Sequence, residues 1–183
     1  MSDAPRSPAE VLARLAETRA QLVATLEPLS DAQWIWTPDE VVWSAALLAE
    51  HLAVVDFGTS RLLTERFDTL EEVSYTSEQQ AKKDAMIPVA VGNRGVKIEA
   101  PAFVRPKNRF ATRAECMAKL LGARDAIVQA VQTHGDRLRT RSAPHPALGS
   151  LDGLQWALFS AEHGARHMAQ FVELRSLAGF PTA

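Results

Sequence analysis

The chain has 183 residues, 46% hydrophobic and 23% charged, which is enough apolar material for one domain over residues 1–183 and too little charge for a disordered chain. A formal net charge of −2 gives no electrostatic footprint for nucleic acid, and the basic runs at Arg94–Arg109 and Arg137–Arg141 read as solvated loops. Cys116 is the single cysteine, "MSDAPRSPAE" lacks the apolar stretch of a signal peptide, and "VVWSAALLAEHLAVVDFG" is too interrupted to span a membrane, so a soluble cytoplasmic protein is expected.

The first helical segment opens on "SPAE". Ser7 can cap, Pro8 suits the first helical position and Glu10 completes a capping box. Val11, Leu15, Leu22 and Leu26 follow on one face, and Pro28 lies beyond the last turn. "LSDAQWIWTP" predicts a short helical turn, capped by Ser30 with Gln33. A second long helix is expected from Ser44 to about Phe67, with Leu48, His51, Leu52, Val55 and Leu62 on its apolar stripe. "TSEQQAKKDAM" predicts a shorter helix capped by Ser77 and Gln80. After it, "IPVAVGNRGVKIEAPAFVRPKN" reads as the least helical part of the chain, either a small hairpin around "GNRG" or an irregular loop.

The third long helix is predicted to start at Thr112, bury Met117, Leu120, Leu121, Ile127, Val128 and Val131, and stop at Gly135. "RTRSAPHPALGS" reads as a loop. The fourth long helix runs from about Asp152 to before Gly179 and is apolar on most of its surface, so it should be the most enclosed. Four long helices and one long connection, about residues 68–111, give an all-α class and a four-helix bundle. The long crossover makes an up-down-down-up order available.

The fourth helix carries Trp156, His163, His167, Gln170 and Leu174 along one ridge. Residues four apart on a helix have Cβ atoms about 5–6 Å apart, close enough for two imidazoles to meet on one ion. Gly164, not Glu, follows the first histidine, so the general base of a zinc-protease His-Glu-x-x-His motif is missing. His51 faces the core from the second long helix. Three imidazoles buried without a common partner would leave several ring nitrogens to satisfy, and bundle interiors are where facing helices build metal sites. Spacing alone leaves a shared metal and three ordinary core histidines both open. His134 suits a helix C-terminus, and His145, between two prolines, is expected to be exposed. Trp34, Trp36, Trp43 and Trp156 read as core or cleft-wall anchors. Glu50 and Glu162 each precede a candidate ligand by one residue and so point about 100° away from it. Cys116, in a first helical turn, has no neighbouring base in the sequence to make it a nucleophile.

The segments "LSDAQWIWTP…VVWSAALLAEHLAVVD" and "HPALGSLDGLQWALFSAEHGARHMAQFVELRSLAGFP" resemble the opening and closing parts of DinB-like domains, including their YfiT-type metal-dependent members. The resemblance rests on a Trp-Ser helix start with a histidine two turns later, and on His-x-x-x-His followed by Gln. It implies an up-down-down-up four-helix bundle, commonly a homodimer. It also implies a divalent-metal site made by His51, His163 and His167, with zinc or nickel as the first candidates and iron(II) as another. Family members include transferases that use low-molecular-weight thiols, so the resemblance implies a small-molecule substrate and a thiol S-transferase. A metal-dependent hydrolase and a non-catalytic metal-binding stress-response bundle are the alternatives.

Overall fold

The computed structural model describes residues 4–95 and 99–182. Four long helices form the bundle: α1 (Pro8–Leu26), α3 (Ala45–Thr64), α5 (Arg113–His134) and α6 (Gly153–Arg175). The short α2 (Asp31–Ile35) joins the first two, and α4 (Ser77–Gly92) packs outside the bundle along α6. Most helix starts follow the cap signals. Ser7 accepts from the Glu10 N–H at 3.3 Å while the Glu10 carboxylate accepts from the Ser7 N–H at 2.8 Å. Ser30 and Gln33, and Asp152 and Gln155, make the same reciprocal pair, and Ser44 and Thr112 cap α3 and α5. Gly135 ends α5 at φ 52°, a conformation in which a Cβ is strained.

The helix directions follow from which ends meet. Arg139, just after α5, touches the Arg6 carbonyl at the start of α1 and Asp152 at the start of α6, so α1 and α6 begin together. His51 lies against His163, and Asp56, further along α3, lies against Ser160, earlier on α6, so these two helices are antiparallel. Asp56 meets Arg124, and Phe67 beyond α3 meets His134 at the end of α5, so α3 and α5 are parallel. The order is up-down-down-up, with α1 next to α6, α6 next to α3, α3 next to α5 and α5 next to α1. No helix among the described residues is long and apolar enough to cross a membrane.

Three segments differ from expectation. Helix α4 is capped by Thr76 with Gln79, one residue earlier than predicted, and continues through Pro88 to Gly92. An interior proline costs about 3 kcal/mol. Here Ala81, Asp84, Ile87 and Val91 are all buried at helical spacing, and their packing holds the turn. The stretch around "GNRG" is therefore the end of this helix and a turn, with residues 96–98 outside the described ones. The predicted loop at 139–150 holds a hairpin instead: β2 (Arg141–His145) pairs with β3 (Gly149–Asp152), and β1 (Glu71–Glu72) joins β2 at its first two residues. Past that point β2 is an edge on one side, which accommodates Pro144, and Gly149 turns the chain at φ 70°. Within the basic run, Arg139 is buried between Asp84 (2.6 Å) and Asp152 (2.9 Å).

Two apolar clusters fill the bundle, one around Leu15, Phe67, Ile127, Leu154 and Leu158, the other around Leu26, Trp34, Leu48, Leu120 and Phe171. Between them lies a buried polar layer that touches all four long helices. Arg124 of α5 donates to Asp56 of α3 at 2.9 Å, to Thr18 Oγ1 of α1 at 3.1 Å and to the Ser160 carbonyl of α6 at 2.9 Å. Ser160 Oγ donates to the second Asp56 oxygen at 2.6 Å. The guanidinium reaches α6 only because residue 164 has no side chain: a Cβ there would collide with Arg124 Nη2 and lie 3.1 Å from Cζ. Asp56→Ala, which strands the guanidinium, should lower the unfolding free energy by about 3–5 kcal/mol. Gly164→Ala should cost about 1–3 kcal/mol through overpacking. Urea denaturation reads both, and an unchanged midpoint for Gly164→Ala would mean that Arg124 is not seated against α6.

Candidate metal centre

The Ser44 cap starts α3 so that His51 faces inward, and the Asp152 cap sets α6 so that His163 and His167 share the opposing ridge. The three rings meet. His163 Nε2 lies 3.3 Å from His51 Nε2 and 3.0 Å from His167 Nε2, and the three ligand atoms fall within 4.8 Å of one another. Two nitrogens held at roughly 2.0–2.1 Å by a tetrahedral ion are about 3.3 Å apart, so this spacing fits one ion.

The far ring nitrogens determine which atoms face the centre. His51 Nδ1 lies 2.8 Å from the Val104 carbonyl, which only accepts, so the proton is on Nδ1 and the lone pair is on Nε2. His167 Nδ1 donates to Gln170 Oε1 at 2.9 Å, with the same result. His163 Nδ1 is buried without a hydrogen-bond partner among the described residues. Two inward lone pairs thus confront a third ring that can place at most one proton between them. A cation shared by the three satisfies this arrangement, and the donor set suits one.

Electrostatics keep all three rings neutral. Burial lowers the His167 pKa to about 3, with His51 adding to the effect. His163 is lowered well below the ordinary value by burial and then by its two neighbours. Burial also lowers His51, opposed by its bond to Val104. Neutral imidazole is the form that ligates a metal. Trp43 lies over His51 at 5.1 Å between ring centroids and stacks on His167 at 6.4 Å, and Phe159 stacks on His163 at 5.1 Å.

The other candidate residues stand apart. His145 is half-buried, not exposed: its ring packs on Phe159 at 4.4 Å and Trp156 at 5.1 Å. Its Nδ1 accepts from the Ala147 and Leu148 N–H groups at 3.1 and 3.2 Å, and burial with the Lys83 ammonium nearby lowers its pKa to about 4. His134 packs on Phe67 at the end of α5, away from the cluster. Glu162 is paired with Arg14, with Nε–Oε1 2.8 Å and Nη2–Oε2 2.9 Å. Glu50 holds the segment after Val104 through Lys107 and Arg109, a function that spacing did not reveal. Cys116 is buried, and its thiol is pushed up to about 12 by burial and by Glu50 and Glu115. Two surface hollows lie off the cluster, one lined by Trp34, Glu50, Phe110 and Cys116, the other by Tyr75, Lys83 and Met86.

The sequence model of the DinB superfamily matches residues 14–171, and the chain belongs to that superfamily. It is 25% identical over 160 residues to the uncharacterized protein YuaE of Bacillus subtilis (strain 168), covering 87% of this chain and 93% of that one. Among solved structures it is similar to TT2238, described as a four-helix bundle protein, with a TM-score of 0.57 and 23% identity over 89% of this chain and 96% of the other. That likeness bears on the fold.

Depressed histidine pKa values set a pH dependence. The unfolded state takes up protons below about 6.5, while folded His167 and His145 do so only near 3 and 4. Their contribution to stability is therefore complete above the unfolded value and is lost as pH falls from about 6.5 toward these lower values. For metal-free protein the denaturation midpoint should drop between pH 7 and pH 5, and the drop should be smaller in His167→Gln. An equal drop in both proteins would show that His167 titrates normally in the fold.

Proposed function

We propose that the chain is a divalent-metal-dependent enzyme, with His51, His163 and His167 as ligands, that joins a low-molecular-weight thiol to a small electrophilic substrate. The convergence of three neutral Nε2 atoms carries this reading. Among the described residues no further His, Cys, Asp or Glu side chain belongs to the group, and three protein ligands leave a position open, as catalytic sites do. Zinc or nickel suits the imidazole set best, and iron(II) is the alternative.

When bound, such an ion lowers the pKa of a thiol or a water brought to its open position. The chain supplies the rest. The Val104 carbonyl and Gln170 hold the His51 and His167 rings by their Nδ1 protons. Trp43 and Phe159 cover the rings with apolar surface, which limits water and strengthens charge interactions at the cluster. The reacting thiol comes from outside, because Cys116 is buried and its pKa is raised to about 12. Membership of the DinB superfamily, which includes thiol-dependent transferases, favours thiol transfer over hydrolysis.

Metal analysis of untagged protein by plasma mass spectrometry should find about one divalent ion per chain, lost in His51→Ala and in His163→Ala while the helical circular dichroism persists. The cobalt-loaded protein should then change its visible spectrum on addition of a small thiol. No ion after incubation with zinc, nickel and iron(II) would end the metal reading. A loaded protein that is spectrally blind to thiols and to azide would instead indicate a closed, structural ion.

A further inference from the structure

The ring of His51 is aimed by a carbonyl 53 residues away, and the buried carboxylate of Glu50 holds the chain just past it, while Glu99 pairs with Arg105 on the exposed side. Glu50 is 3% exposed. Its Oε1 accepts from the Lys107 N–H at 2.7 Å and from Arg109 Nη1 at 2.6 Å, and its Oε2 accepts from the Arg109 N–H at 3.1 Å. Asn108, between those two donors, adopts φ 57°, which lets both flanking N–H groups turn to the same carboxylate. Arg109 then donates back to the Arg105 carbonyl at 2.8 Å, closing the segment on itself just past Val104. Adjacent helical residues point about 100° apart, so Glu50 reaches the crossover segment while its neighbour reaches the cluster.

We propose that Glu50 is a positioning residue for the metal centre. By pinning residues 105–109 it places the Val104 carbonyl on His51 Nδ1, fixes the ring in its Nδ1–H tautomer and aims Nε2 at the other two histidines. The metal part of this inference rests on the reading of His51 as a ligand; the tautomer part does not. A purely structural role, in which Glu50 only neutralises Arg109, predicts a less stable protein with an unaltered His51 ring.

Side-chain ¹⁵N NMR of metal-free protein separates the two, with the His51 signals assigned by their loss in His51→Ala. Wild type should show His51 as the Nδ1–H tautomer, and Glu50→Ala a mixture of both tautomers. Glu50→Gln keeps the size and one acceptor oxygen, so it should shift less in the same direction, and it serves if Glu50→Ala does not fold. Competition with a chromophoric chelator should show zinc bound about 10–100-fold more weakly by Glu50→Ala, the usual cost of losing a group that orients a metal ligand. Arg14→Ala, which frees Glu162, a buried carboxylate next to His163, should leave both readouts unchanged. A His51 ring that stays wholly Nδ1–H in both Glu50 variants would overturn the proposal, as would zinc affinity within about twofold of wild type. A wild-type protein that takes up none of zinc, nickel or iron(II) would end the metal reading, and the tautomer comparison would still decide what Glu50 does.

Discussion

Arg124 is a fully buried cation whose partners come from every other long helix: Asp56 from α3, Thr18 from α1 and Ser160 from α6. Taking both charges of the pair out of water is expensive, and the cost is recovered only when each hydrogen-bonding position is filled. Any slide of one helix past another by a turn would break a contact and strand a charge. Removing one partner therefore strands a buried charge, whereas replacing the whole pair by well-packed apolar side chains is expected to cost little. Gly164 completes the arrangement, since any side chain there would push the guanidinium off α6.

The histidine cluster inherits its geometry from this layer. Asp56 stands five residues after His51 on α3, and Ser160 stands three before His163 on α6, so the Ser160–Asp56 bond sets how the antiparallel helices face each other. Once that register is fixed, His51 lies within reach of His163 and His167, and the Val104 carbonyl sets which of its nitrogens faces them. The same burial that creates the meeting point strips protons from the rings, because a charged imidazole loses its hydration there. The neutrality of the rings is thus a product of packing, while the Val104 carbonyl and Gln170 turn the lone pairs of His51 and His167 inward.

Much of the bundle was legible because its signals are local. Ser7 with Glu10 and Ser30 with Gln33 lie three residues apart and act within a single turn. The ridge of His163 and His167 is likewise a matter of helical spacing. What escaped depends on contacts distant in sequence. Pro88 hid the second half of α4, whose Ile87 and Val91 are held by the core against the proline's cost. Pro144 and Pro146 suggested a loop where β2 pairs with β3, because the chain does not announce that β1 stops short of Pro144. His145 was expected in solvent, yet Phe159 and Trp156 cover it. Arg124 and Asp56, 68 residues apart, carry no pattern that marks them as a pair.

The two sides of the candidate centre are built differently, and the difference has a physical consequence. Helix α6 supplies His163, His167 and the orienting Gln170 within two turns, so that half forms whenever the helix does. The α3 half depends on a carbonyl from the crossover, and the loop that must be ordered to deliver it costs entropy that a single helix does not pay. His163 adds a second asymmetry, since its buried Nδ1 has no partner among the described residues and its ring is held by Phe159 and its neighbours alone. The orientation of His51 therefore depends on the crossover, while that of His167 is set within α6. One edge of the histidine cluster is thus set by helical spacing and the other by a contact distant in sequence.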